Sequence, residues 1–305
     1  MIGEVIKEQR ILKNISREEL SQGICTEKYV YLIEKNERNP SAYILDQFSE
    51  KLGIDLFEYY QYLNAKNKAL VVEYRKNFDR YVQLGDVEKL KKESIKASAL
   101  DDFKCEPLVY DIIIINLLHK ALFEGKTREP IIELKKIFET KELNIDRLTL
   151  INGYIVLATC YQLEGRLEES RQVLKDAYEM VRNKTEFSRY NTAVINVMIS
   201  LNSFFYSDKA YDDLIVYSTR LLEFQEKNNE YNRIYYADFY LAFAYYNKNQ
   251  LPKSKKHFMR GIHSASLFKN KMDINIITTM RDFNEAAEKL DIDSSYIKAF
   301  HKLKD

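Results

Sequence analysis

The sequence predicts an all-α fold: a small N-terminal helical head followed by a right-handed superhelix of stacked helix pairs. Two observations carry this expectation. Gly numbers only 8 and Pro only 4 in 305 residues, where average usage would give about 21 and 15. The chain is therefore short of the turn-makers that many short strands need. Gly85, Gly125 and Gly165 also recur 40 residues apart, each between two apolar patterns of helical period.

The rest of the composition narrows the class. Hydrophobic residues are 46% and charged residues 30%, which suits a chain with a packed core and excludes a disordered one. The 47 basic and 46 acidic residues leave a net charge of +1, so any contact with nucleic acid must be local. The longest apolar stretch, 108–122, is interrupted by Asp111, Asn116, His119 and Lys120, so no membrane span is expected. The N-terminus lacks a basic segment followed by an apolar one, so no signal peptide is expected. Cys25, Cys105 and Cys160 are odd in number and widely spaced, which reads as reduced thiols in a cytoplasmic protein.

The first 60 residues stand outside the 40-residue frame. An amphipathic helix over 3–13 is followed by Ser16-Arg17-Glu18-Glu19, where a Ser N-cap and a Glu three residues later form a capping box. A short helix runs to about Ile24 with Leu20 and Ile24 on one face. Another covers 27–35 with Val30 and Ile33 inward. Residues 36–41 make a turn, and Pro40-Ser41 opens a fourth helix holding Leu45, Phe48 and Leu52, which Gly53 ends.

Three segments taken together resemble the Cro/C1-type helix-turn-helix over about residues 2–58. They are Ser16-x-x-x-Leu20-Ser21-x-x-Ile24-Cys25, Val30-x-x-Ile33-Glu34-x-Asn36-x-Arg38-x-Pro40-Ser41, and Leu52-Gly53-Ile54. The resemblance implies that the helix at 26–34 enters the DNA major groove. Its outward residues, Thr26, Glu27, Lys28 and Tyr31, are the expected readers. Lys28 suits guanine O6 and N7, and Thr26 and Tyr31 suit phosphate or a thymine methyl. Ser16, Arg17 and Arg38 lie at helix starts or in the following turn, where phosphate contacts are common. Glu34 and Arg10 are, by the same resemblance, a structural ion pair. Residues 1–62 hold 8 basic and 11 acidic residues, a net of −3, so one head alone should bind DNA weakly. The resemblance implies dimerisation on a two-fold symmetric operator, which would double the contacts.

Beyond the head the frame repeats. Leu157-Ala158-x-x-Tyr161-x-x-x-Gly165-x-Leu167, with Leu174 and Ala177, resembles a tetratricopeptide (TPR) repeat. It recurs around Tyr81, Ala121, Phe205 and Tyr245, at separations of 40, 40, 44 and 40 residues. A standard TPR repeats every 34, so these are TPR-like pairs with lengthened helices. Residues 272–289 and 294–303 are expected as a capping helix pair. The domain boundaries read as 1–63 for the head and 64–305 for the repeats.

A Cro-type head joined to five TPR-like pairs resembles, over the whole chain, the RRNPP family of peptide-pheromone receptors, in layout its PlcR-like and Rgg-like branches. The resemblance implies a cytoplasmic homodimer, a transcription regulator used in quorum sensing. Its partners would be double-stranded DNA and a short signalling peptide held in the concave groove. In a TPR the first helix of each pair lines that groove. Helical phase then offers Asn152, Ile155, Val156, Thr159 and Gln162 from the third pair. The fourth offers Asn196, Ile199, Ser200, Ser203 and Tyr206, and the fifth Tyr236, Phe239, Tyr240, Phe243 and Tyr246. From these, Asn152, Thr159, Gln162, Asn196, Ser200, Ser203, Tyr206, Tyr236, Tyr240 and Tyr246 are the expected peptide contacts. Asn clamps a backbone by donating and accepting together, and aromatic rings supply apolar pockets.

No catalytic residues, metal ligands or cofactors are expected. The four His show no metal-ligand spacing, and there is no nucleophile elbow or phosphate loop. Two other readings of the same scaffold are a repressor of a mobile element or phage, and a TPR adaptor that acts through protein partners without binding DNA.

Overall fold

The computed structural model describes residues 1–140, 142–182 and 190–303, and among these every regular element is helical. The chain packs as two compact units, residues 1–80 with 93–105 and residues 81–92 with 106–305.

In the first unit, α1 (Ile2–Leu12) buries Ile2, Val5 and Ile6. The short α2 (Arg17–Ser21) starts at the expected capping box. The Ser16 hydroxyl accepts the Glu19 N–H at 3.0 Å, and the Glu19 carboxylate accepts the Ser16 N–H at 2.6 Å. Thr26 caps α3 (Glu27–Glu34) by accepting the Tyr29 N–H, and Ser41 caps α4 (Ala42–Leu52) by accepting the Ile44 N–H. Leu20, Val30, Ile33, Leu45, Phe48 and Leu52 meet the apolar face of α1 in one core. After a tight helical segment at 56–62, α5 (Lys68–Gln83) adds Val72 to that core. Both α5 and α6 (Val87–Ala97) have residues in each unit.

The second unit holds the repeats. Its helices are α7 (Val109–Phe123), α8 (Arg128–Phe138), α9 (Arg147–Leu163), α10 (Leu167–Arg182), α11 (Asn191–Ser207), α12 (Tyr211–Lys227), α13 (Tyr235–Asn247) and α14 (Leu251–Phe268). The first helices α7, α9, α11 and α13 pack side by side as an inner layer. The second helices α10 and α12 each fill the space between their own partner and the next first helix. This is the stack of helix pairs that the 40-residue frame predicts.

The turn between the helices of a pair shows why the frame repeats. Gly85, Gly125 and Gly165 have φ of 65°, 64° and 73°, and Lys209 and Asn249 hold the same left-handed position at 59° and 57°. The next residue's N–H then turns back to a carbonyl of the preceding helix. Asp86, Arg166, Ala210 and Gln250 donate to the carbonyls of Tyr81, Tyr161, Phe205 and Tyr245 at 2.8–2.9 Å. In these four turns the frame aromatics are thus the residues whose carbonyls close the turn, while at Gly125 the Lys126 N–H donates to the Lys120 carbonyl at 3.2 Å. Glycine adopts this backbone freely, asparagine tolerates it, and lysine does so at a cost.

The C-terminal region differs from the expected helix pair. Instead of one helix over 272–289 there are two, α15 (Lys271–Thr278) and α16 (Phe283–Lys289), followed by α17 (Ser294–Lys302). The Thr278 and Thr279 hydroxyls donate to carbonyls of Asn275 and Ile276, competing with the helical ladder. The Asp282 N–H is drawn instead to the Tyr206 hydroxyl at 3.1 Å. Phe283 and Phe300 then close the core against Phe239 and Phe258, with ring centroids 5.2–6.0 Å apart.

Candidate functional site

On the head, Thr26, Glu27 and Lys28 are exposed at the start of α3, Tyr31 one turn further on is 42% exposed, and Ser16 and Arg38 are exposed nearby. The Arg17 guanidinium is drawn inward. Its Nε donates to Glu34 at 2.7 Å, while the Nε of Arg10 donates to the other carboxylate oxygen at 2.6 Å. Glu34 therefore binds Arg17 as well as the expected Arg10. The Tyr31 ring lies under the cations of Arg17 and Lys35, at 5.3 Å and 5.9 Å. Lys51 satisfies the end of α2 by donating to the carbonyls of Glu19 and Gln22.

Burial raises the Glu34 carboxyl, but the hydrogen bonds and charges of Arg10 and Arg17 outweigh it, and the group titrates below its ordinary 4.5. A carboxylate depressed on folding stabilises above that ordinary value and loses its contribution as pH falls through the lower folded value. Glu34→Ala is expected to cost the head about 3 kcal/mol, the low end for one partner of a buried pair because Arg17 is partly exposed. Urea unfolding of both proteins at pH 7 and pH 3.5 checks this: the gap between them should narrow at the lower pH.

In the second unit, α9, α11, α13 and α15 enclose an open cavity of about 260 Å³. It gathers Thr159, Gln162, Ser200, Ser203, Tyr236 and Tyr240 from three successive pairs. Ile155 and Ile199, also offered by helical phase, supply apolar wall. The Thr159 hydroxyl donates to the Ile155 carbonyl at 2.9 Å. Burial pushes the Tyr240 hydroxyl up to about 12, opposed by a hydrogen bond with Ser203.

The other expected contacts lie elsewhere. Asn152 is half-buried and outside the cavity lining. The Asn196 side-chain oxygen accepts from the Arg233 guanidinium at 3.1 Å. The Tyr206 hydroxyl meets the 279–282 turn with Arg281 stacked on its ring at 4.9 Å, and the Tyr246 hydroxyl donates to Glu285 at 2.7 Å. Phe239 and Phe243 are wholly buried in the aromatic core, and Val156 in that of α7–α9.

Two features of this region escape sequence reasoning. Ile276, on α15 and 44% exposed, forms one wall of the cavity. Beneath it Asp273 is fully buried, accepting from the hydroxyls of Tyr235 at 2.5 Å and Tyr236 at 2.9 Å and from Asn270 at 3.0 Å. The Arg233 guanidinium stands 3.5 Å from the same carboxylate and 5.0 Å from the centre of the Tyr236 ring. Burial and the Asp273 charge both raise the two Tyr hydroxyls, so they remain donors. The only signal for this cluster was an acidic residue three positions after a potential Asn N-cap.

Residues 6–59 match the helix-turn-helix family. In class the chain is a helix-turn-helix head joined to a domain of stacked helix pairs. Among solved structures it is similar to PlcR of Bacillus thuringiensis, determined in complex with the peptide PapR7 and DNA. The two are 14% identical, the match covers 91% of this chain and 99% of PlcR, and the TM-score is 0.72. A protein of Listeria monocytogenes EGD-e is also 14% identical, with 95% and 98% coverage and a TM-score of 0.50. The likeness shows that the fold is that of PlcR. Comparison with curated proteins gives no match. Among the described residues no helix is long and apolar enough to cross a membrane.

Proposed function

We propose that the chain is a cytoplasmic transcription regulator that binds a two-fold symmetric operator as a homodimer. A short signalling peptide held in the groove of α9, α11 and α13 controls it, with residues 1–63 as the DNA-binding head and 64–305 as the peptide-binding and dimerisation domain. The observation that carries this reading is the cavity itself. Six polar side chains from three successive pairs converge on it, in a chain whose head leaves the start of α3 exposed. The peptide acts by binding one arrangement of the dimer more tightly than another.

Footprinting of the purified protein on its own upstream DNA, with and without candidate peptides, tests the proposal. Two protected half-sites about one helical turn or a multiple apart are expected. The double variant Lys28→Ala, Arg38→Ala should weaken protection at least tenfold. Its salt dependence should flatten by about one unit of slope for each phosphate contact removed. A second reading, an adaptor that holds only protein partners, draws on the head's net charge of −3 over residues 1–62 and on the engagement of Arg17 with Glu34. Unchanged gene regulation in the double variant would favour it.

A further inference from the structure

The groove is uncharged to a degree that the rest of the chain is not. Charged residues make up 30% of the sequence, yet α9, α11 and α13 contain only Arg147 and Asp238. Arg147 is exposed at the first position of α9. Asp238 points away from the groove, into α14, where His257 lies at 2.8 Å and Arg260 at 3.5 Å. The second helices are charged in the ordinary way, with seven Asp, Glu, Lys or Arg in α10 and six in α12. Packing accounts for the buried positions of these helices but not for those that face the groove, because Ile155, Thr159, Gln162, Ser200 and Ser203 are only half-buried and Ile276 is exposed. Such positions carry charges freely when they face water alone.

The charges against the lining residue Tyr236 cancel. Arg233 is paired with Asp273 and donates to Asn196, so it offers no net attraction to a bound carboxylate. A ligand side chain bearing a charge would lose its water here and find no opposite charge to replace it. An apolar side chain would meet Ile155, Ile199 and Ile276. Hydroxyls and the Gln162 amide both donate and accept, which suits the N–H and C=O groups of an extended backbone.

Building on the reading of the groove as a peptide site, we propose that the peptide segment lying between α9, α11 and α13 bears only uncharged side chains. At least one of them is apolar and seated against Ile155, Ile199 and Ile276, and the groove rejects a charged residue at that place. Three pools of synthetic heptapeptides test this, identical except at the central three positions. Those positions are drawn from Ala, Val, Leu, Ile, Phe, Tyr and Ser in the neutral pool. At least one is Asp or Glu in the acidic pool, and at least one is Lys or Arg in the basic pool.

Each pool is incubated with the full-length protein, and retained peptides are identified by mass spectrometry after gel filtration. Neutral-centred peptides should be retained at least tenfold over either charged pool. Ser200→Asp, or Thr159→Asp as a second variant, should redirect retention to the basic pool. Retention of charged-centred peptides equal to that of neutral ones would overturn the inference and leave the peptide reading intact. Retention of no peptide from any pool would overturn the peptide reading and this inference with it.

Discussion

Asp273→Ala is expected to destabilise the repeat domain by about 3–5 kcal/mol, the range for removing one partner of a buried ion pair. The carboxylate is wholly buried and accepts three side-chain hydrogen bonds while facing Arg233. Its loss strands a guanidinium and two tyrosine hydroxyls in the same place. For a unit of about two hundred residues this corresponds to a fall in Tm of roughly 10 °C. Asp273→Asn keeps the shape and an acceptor oxygen, and should fall between the two. Thermal unfolding followed by circular dichroism measures the series. An alanine variant within 1 °C of the parent would mean that the cluster contributes no net stability.

Gly3→Ala should be as damaging to the head. A Cβ at this position would stand 1.8 Å from the Ile33 carbonyl oxygen and 2.8 Å from the Asn36 side-chain oxygen. The first obstacle is backbone, so α1 would have to lift from the end of α3. We expect a loss of about 3 kcal/mol or more, the upper end for overpacking. The readout is amide hydrogen exchange, faster throughout α1 and α3, with exchange in α9–α14 unchanged. Normal protection of α1 would show that the two helices tolerate a wider separation.

Gly3 and the repeat glycines Gly85, Gly125 and Gly165 differ in what the sequence shows of them. The three repeat glycines answer a local demand, a left-handed turn at the end of a helix, and local demands leave periodic traces in sequence. Asn249 could have been added on the same ground, and Lys209 could not. Gly3 answers a tertiary demand, the approach of two helices thirty positions apart, which no local pattern records. The head's cap at Ser16 belongs to the first kind, and the structure places it where the sequence does, while Thr26 and Ser41 cap α3 and α4 in the same way.

The groove shows the same division. Helical phase identifies the side of α9, α11 and α13 that faces inward, which is why Thr159, Ser200, Ser203 and Tyr240 meet. It does not identify partners. Tyr206 and Tyr246 have the right phase, but their hydroxyls are taken by the 279–282 turn and by Glu285. Arg17 has the right position at a helix start, yet Glu34 holds its Nε. The wall at Ile276 lies outside the 40-residue period, so no periodic argument reaches it.

That wall has an evolutionary consequence. Residues of α9, α11 and α13 serve two masters, since each helix that faces the groove also packs against its neighbours, and a change of shape there propagates along the stack. Helix α15 is anchored from below by Asp273, Ile274 and Ile277, and the residue it offers to the groove, Ile276, lies half in solvent. Substitutions at this one position, or a small shift in the length of the preceding turn, change the width and greasiness of the site without touching any inter-repeat contact. The shape of the groove can then diverge between related chains through a short terminal helix, while the stack of helix pairs is left as it was.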